Sequence, residues 1–353
     1  MTDFSAAAPP PGFRLPGEFE PHDRCWMCWP SNAALWGPHL AAARAAYATV
    51  ARTIRAFEPV TMVARPEDAE AAAEACGDEI EVWVRPIDDS WARDSGPTFL
   101  VDDAGGAIAV DWVFNGWGGK AAAVANDDAL ASALGIRAGA RVVRAPLVLE
   151  GGSICSDGEG TLLVTEQCLL HPNRNPGLDR AALERHLMAL LRVETVLWLP
   201  YGLADDAETD GHVDNVACFV RPGVVMMVAP PRDPDHPDHA RLSENQRVLM
   251  AATDALGRQL EIIPLPHAPG LAGPDGRPLA RSYANFYIAD GGIVMPGFGL
   301  ETDTEALEAV RDAFPYHDVV MLPEGAVIAH GGGNIHCITQ PQPTAVRKPG
   351  CPG

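Results

Sequence analysis

Short apolar runs and longer amphipathic stretches alternate along the chain in a fixed order. Residues 100–101 lead through the polar turn 102–106 into the apolar run 107–112. The pattern recurs at 151–154, turn 157–160 and 161–165, and again at 216–220, turn 221–223 and 224–228. It returns at 283–288, turn 289–292 and 293–296. Each reads as a β-hairpin, because Gly, Asp and Pro supply the backbone angles of a tight reversal. Apolar residues then recur at helical spacing over 39–57, 128–134, 179–191, 239–256 and 304–314. In the third of these, Leu183, Leu187, Leu190 and Leu191 form a stripe opposite Arg180, Glu184 and Arg185. Most helices feed a β-branched strand: 60–63, 142–148, 195–199, 261–263 and 319–322. Hairpin, helix and strand thus repeat with turns about 55 to 70 residues apart, which predicts a radial or solenoid architecture. The Pro-rich stretches 229–239 and 267–278 read as surface loops, since the pattern resumes after each. The 353 residues therefore read as one large α/β domain rather than two.

Charge narrows the partners. With 47 acidic and 26 basic side chains the net charge is −21, which argues against nucleic acid and anionic membrane and permits a cationic small molecule. Apolar runs such as 224–231 fall short of the roughly 18 residues a membrane span needs. The N-terminal stretch lacks a basic region followed by a continuous apolar one, and reads as a flexible tail. Eight cysteines in a chain of this length do not make a disulfide framework. Cys25 and Cys28 lack a second pair and read as two thiols in a Trp-rich N-terminal strand rather than a zinc site. Most of the thiols are expected to be buried and reduced in a cytoplasmic protein. His236 and His239, with Asp233, Asp235 and Asp238, read as solvated loop decoration rather than a metal site.

The starts of the repeats carry unusually polar residues. WARDSGP (91–97) precedes the first hairpin, EGG (150–152) the second and TDGHVDN (209–215) the third; HGGGNIHC (330–337) lies near the C-terminus. Units converging on an axis would gather Asp94, Glu150, His212, Asp214 and Cys337 at one mouth. Cysteine is the strongest side-chain nucleophile near neutral pH, and histidine moves protons there. Three carboxylates oppose thiolate formation, so they fit a substrate that brings positive charge. A planar guanidinium pairs with carboxylates through parallel hydrogen bonds, and its central carbon can accept a thiolate. The set points to chemistry at a guanidine carbon.

These residues also carry a resemblance. WARDSGPTF (91–99), EGGS (150–153), ETDGHVDN (208–215) and GGGNIHCITQPQP (331–343), together with GEFE (17–20), NRNP (173–176) and SYANFYIADGG (282–292), resemble the motifs of agmatine deiminases. That family belongs with bacterial-type peptidylarginine deiminases in the guanidino-group-modifying superfamily. The resemblance implies a pseudo-fivefold α/β propeller of ββαβ-type repeats around a central channel. It would span 17–343 as a single catalytic domain, with tails at 1–16 and 344–353. It implies Cys337 as nucleophile, His212 as general acid and base, Asp94 and Asp214 as carboxylates gripping the guanidine, and Glu150 as an acid orienting guanidine and histidine. Trp91 and Trp117 are candidates to cover the substrate, Glu208 to meet its distal amine, and Gly332 and Gly333 to let backbone approach it. His336 is expected on the far side of a strand from Cys337. No metal or organic cofactor is implied; a homo-oligomer, dimer or higher, is. Another guanidine substrate (free arginine or peptidyl-arginine), amidino transfer, and a non-catalytic polyamine-binding protein remain alternatives.

Overall fold

Five sheets share one wiring in the computed structural model, which describes residues 8–272, 276 and 278–345. In the first, Thr98–Val101 runs antiparallel to Ala107–Val113, which runs parallel to Arg141–Val148. Ile154–Ser156, Thr161–Thr165 and Thr195–Leu199 repeat it. So do Ala217–Arg221, Val224–Val228 and Glu261–Leu265, and then Tyr287–Ala289, Gly292–Pro296 and Asp318–Leu322. The fifth sheet joins the two ends of the chain. Thr339–Pro343 lies antiparallel to His22–Cys28, which is parallel to Val60–Ala64, with Glu81–Val84 added at the edge. Parallel pairing requires a crossover, and the helices Leu130–Arg137, Arg180–Leu191, Pro237–Ala251, Asp303–Ala313 and Leu40–Arg55 provide it.

Sequence pattern explains the layers. The middle strands VTMVA, TLLVT, VVMMV and GIVMP are buried along their whole length, as expected where both sheet faces are covered. The third strand Arg141–Val148 alternates instead, turning Arg141 and Arg144 outward. Leu40–Arg55 buries Ala43, Ala46, Tyr47, Val50, Ala51 and Ile54, one stripe at helical spacing. Asp179 caps Arg180–Leu191 by accepting the Ala182 N–H at 2.8 Å.

Several expectations shift in detail. The 283–288 strand shortens to Tyr287–Ala289, because 282–285 turns: Ser282 Oγ accepts the Ala284 N–H and the Tyr283 hydroxyl donates to Asp303 at 2.6 Å. Gly151–Ser153 is a helical turn, closed by the Ser153 hydroxyl on the Glu150 carbonyl. The 239–256 helix begins at Pro237, capped by His236, and ends at Ala251, beyond which the Asp254 carboxylate folds the chain into a turn. The 128–134 helix moves to Leu130–Arg137, since the Asp128 carboxylate is taken by Arg144 and the Phe114 N–H. The helix Ala69–Cys76 and the strand Glu81–Val84 went unread. Of the expected N-terminal tail, residues 1–7 lie outside the described residues. Residues 14–15 are docked instead, because Leu15 enters the apolar core and Arg14 bridges Val101 through its backbone while pairing with Glu20. In the C-terminal tail, 346–353 lie outside the described residues, and Thr344 bonds Pro21 and Asp23. Cys25 and Cys28 are fully buried in their strand. The histidine-rich loop is more structured than solvated decoration: Asp238 is buried, accepts the Ala204 N–H and pairs with His267 at 3.1 Å, while His239 bonds the Pro231 carbonyl.

Two features position the centre of the molecule. Helical turns Ala92–Ser95, Gly151–Ser153 and Val213–Asn215 each precede the first strand of a sheet, and the second packs against both others. The fifth sheet is locked to the fourth by Glu58, whose carboxylate accepts the Tyr287 hydroxyl at 2.6 Å and the Asp290 N–H at 2.9 Å. His22 Nδ1 lies 3.2 Å from the same carboxylate, and the His22 N–H reaches Asp290 at 2.9 Å. Glu58→Ala strands these buried polar groups and should cost about 3 kcal/mol in urea denaturation; a loss below about 1 kcal/mol would mean that the junction does not hold the sheets.

Candidate active site

Five polar side chains meet where the sheet entrances gather. Asp94 comes from the turn Ala92–Ser95, and Glu150 directly precedes Gly151–Ser153. His212 and Asp214 flank the start of Val213–Asn215, and Cys337 precedes Thr339–Pro343. None is more than 4% exposed. His212 Nδ1 lies 3.7 Å from Asp94 and Nε2 lies 3.7 Å from Glu150. Cys337 Sγ lies 3.5 Å from Asp214 Oδ2.

Neighbouring polar groups fold the loops that present them. The Asp206 carboxylate accepts from the Thr209 hydroxyl, the His212 N–H and Asn215 Nδ2, which sets His212 and Asp214 on one inward-facing bend. Asn285 does the same for Cys337: its carbonyl accepts the Cys337 N–H at 3.3 Å, while its amide donates to Sγ at 3.2 Å and to Asn215. Arg174 fixes Glu150 through Nε at 2.7 Å and reaches Asp210 at 2.7 Å. Asn285 and Arg174 carried no assigned role in the sequence, although SYANFY and NRNP contain them. The available signal was an amide in an otherwise apolar run and an arginine flanked by turn residues.

Gly152 is the tightest point. Its N–H donates to Asp94 Oδ1 at 3.0 Å. A Cβ there would sit 2.6 Å from His212 Nδ1, 2.8 Å from Asp214 and 2.9 Å from Asp94, so only glycine leaves the three groups in place.

The electrostatics are lopsided. Burial raises the Cys337 thiol well above its ordinary range, and Asp214 and Asp94 raise it further. Burial also raises Asp94, with Asp214 and Glu150 adding to it against His212 and Trp117. Burial disfavours charge on His212, but Asp94, Cys168 and Glu150 outweigh it and raise the imidazole well above its ordinary value. Burial would raise Glu150 and Asp214; His212 with Arg174, and His336, hold them below their ordinary values instead. Both shifts favour a neutral thiol and a charged imidazole. Glu150, Cys168 and His212 offer ligand atoms within 4.8 Å of one another, a geometry that could hold a metal, but the Arg174 guanidinium already supplies the cation at Glu150.

A cavity of about 410 Å³ leads to the thiol, with Trp91, Asp94, Trp117, Glu208, Gly332 and Gly333 among its walls. Trp91 is backed by Trp36, their rings stacked at 6.0 Å. Trp117 has a left-handed backbone (φ 55°) and donates its indole N–H to Asp94 Oδ2 at 2.8 Å. Gly332 adopts φ 93° beside the Glu208 stem, and Gly333 abuts Trp91 and Cys337. Every sequence-derived candidate thus lines this cavity or lies just behind its inner end. Asp89 joins the wall unanticipated. His336 departs from expectation: it sits in a turn rather than a strand, with Nδ1 2.9 Å from Asp214.

Residues 14–343 match the Porphyromonas-type peptidyl-arginine deiminase family. The chain belongs to that family. It is 46% identical to the agmatine deiminase of Stutzerimonas stutzeri (97% of this chain, 99% of that one). It is also 46% identical to that of Pseudomonas aeruginosa strain LESB58 (96% and 97%). Its fold matches the solved agmatine deiminase of Enterococcus faecalis with a TM-score of 0.88 at 36% identity, covering 95% of this chain and 97% of that one. For the site, Gly152→Ala should lower ammonia release from guanidine substrates by about a hundredfold or more while leaving the far-UV circular dichroism intact. Activity within threefold of the parent would show that Gly152 tolerates a Cβ.

Proposed function

We propose that the protein hydrolyses agmatine to N-carbamoylputrescine and ammonia through a covalent intermediate on Cys337. The observation that carries this reading is a buried thiol set among buried carboxylates, with Cys337 Sγ 3.5 Å from Asp214 and with Asp94 and Cys337 lining one cavity, an arrangement suited to a cationic substrate. Asp94 and Asp214 take the guanidinium N–H groups. The substrate's charge then offsets theirs, and the thiol releases its proton to water. The thiolate attacks the guanidine carbon, and His212 donates its proton to the departing nitrogen, which leaves as ammonia. A thiouronium remains on Cys337. His212, now neutral, takes a proton from water; the hydroxide adds to the carbon, the thiolate leaves, and the hydroxyl proton passes from the resulting O-protonated urea to the sulfur, giving N-carbamoylputrescine and the neutral thiol. Glu150, held by Arg174, orients His212 throughout.

The distal end favours an amine over an amino acid. Asp89 and Glu208 line the outer cavity, and both cations there are engaged. Arg65 donates to the carbonyls of Ile87 and Asp88, and Lys120 pairs with Asp210 and bonds the carbonyls of Ala207 and Glu208. An α-carboxylate would meet Asp89 and Glu208, while Lys120 is paired with Asp210 and Arg65 is turned onto backbone carbonyls. Trp91 and Trp117 supply apolar cover for the alkyl chain.

Repetition of one sheet wiring and the meeting of sheet entrances support a pseudo-fivefold propeller with the site in its central channel. A single catalytic unit, a homo-oligomeric state and a cytoplasmic location belong to the same reading and rest on the resemblance. Among the described residues, no helix is long and apolar enough to cross a membrane.

Two measurements check the proposal. kcat/KM for agmatine should exceed that for free arginine and for a C-terminal arginyl peptide by about a thousandfold or more; comparable values for arginine would refute the amine assignment. Acid-quenched turnover should leave an amidino adduct on Cys337 by mass spectrometry, and Cys337→Ala should release no ammonia. Sustained turnover by that variant would rule out the covalent route.

A further inference from the structure

We propose that His336 is held as an imidazolium between Asp214 and Glu18, making Glu18 a positioning residue for the carboxylate that grips the guanidine. The inference rests on the preceding reading for the role of Asp214. His336 Nδ1 lies 2.9 Å from Asp214 Oδ2, and Nε2 lies 3.0 Å from both Glu18 oxygens. A neutral imidazole carries one N–H and would turn a lone pair on one of these carboxylates; only the doubly protonated ring donates to both.

The arrangement is anchored from behind. Arg93 donates to Glu18 at 2.7 Å and, through Nε, to the His336 carbonyl at 3.3 Å. Its backbone N–H bonds the Cys337 carbonyl at 3.1 Å. Arg93 is 4% exposed and His336 7%, while the Glu18 side chain retains 21%. Asp214, Glu18 and, beyond it, Arg93 are the charged groups facing the ring, and the Cys337 thiol is next to it in the chain. Burial and Arg93 act against charge on His336; Glu18 and Asp214 outweigh them and raise it. Burial would raise Glu18, but Arg93 and His336 hold it well below the carboxylate range.

The chain Arg93–Glu18–His336–Asp214 ends on a free atom. Asp214 Oδ1 is buried and has no hydrogen-bond partner among the described residues. With Oδ2 held by the imidazolium, Oδ1 is the oxygen left for the substrate. His336 also places a fixed positive charge next to the nucleophile, where Asp94 and Asp214 oppose thiolate formation. The N-terminal motif GEFE, outside the repeated units, thereby acquires a role at the reaction centre.

The test compares the full chain with Glu18→Gln and Glu18→Asp. The active form needs His336 protonated, so activity falls as pH rises through its pKa. Removing the Glu18 charge lowers that pKa. In Glu18→Gln, kcat/KM for agmatine should drop about ten- to a hundredfold, and its alkaline limb should move down by about 1 to 3 pH units. Glu18→Asp, which keeps the charge, should return the limb toward its original place. A uniform loss with an unmoved limb would reduce Glu18 to a structural contact and overturn the proposal. Histidine ¹⁵N NMR of the unsubstituted, substrate-free protein decides independently of whether the variants fold. Both His336 nitrogens should remain protonated at pH 8; a neutral ring at pH 7 refutes the inference. This readout involves no substrate, so it stands or falls apart from the agmatine assignment.

Discussion

Buried negative charge facing a thiol is the constraint on which the rest of the structure depends. Asp94, Glu150 and Asp214 are removed from water around Cys337, and each would be strongly disfavoured there without compensation. The protein supplies that compensation unevenly. Arg174 and His212 serve Glu150, and His336 serves Asp214. Asp94 receives the Gly152 N–H and the Trp117 indole, yet its carboxyl stays raised. On the proposed reading, the remaining imbalance disfavours the thiolate until a cation occupies the cavity. Specificity and activation are then one property: a ligand without positive charge neither binds the acids nor frees the nucleophile.

Holding such a centre demands a rigid frame, and the repeated sheets provide it. Middle strands covered on both faces place the sheet entrances without slack, so side chains from distant parts of the chain meet at hydrogen-bond distances. Closing the fifth sheet with strands from both ends brings His22–Cys28 beside Thr339–Pro343, two residues after Cys337. Glu58 then fixes that sheet to its neighbour. Among the described residues, left-handed non-glycine backbone occurs at Trp117 in the cavity wall, at Asp210 just before His212, and at Arg192, which ends the helix Arg180–Leu191.

Much of this was legible in the sequence because it rests on local rules. The hairpins have turn residues between β-branched runs, and four of the five crossover helices end within about three residues of their apolar stripes. Asp94, Glu150, His212, Asp214 and Cys337 stood out because charged or reactive residues sit at the starts of apolar repeats. What escaped depends on tertiary partners. The fifth sheet pairs strands more than 300 residues apart, which no local pattern encodes. Asn285 looked like part of a strand until its amide was seen to hold Cys337. Gly152 read as part of a strand, yet the need for glycine there comes from three side chains pressing on one Cα. His336 was assigned by strand alternation to the wrong side, because the backbone there turns before the strand begins.

The most direct test of the central claim compares alkylation of Cys337 by 2-chloroacetamidine and 2-chloroacetamide, each rate normalised to glutathione. The two reagents have similar shape, but only the first is cationic. If the acids keep the thiol neutral until positive charge arrives, the amidine should react about a hundredfold faster or more at pH 7. The neutral reagent should gain speed with rising pH through pH 9 without levelling off. Equal normalised rates, or a neutral-reagent profile already flat at pH 7, would contradict the account.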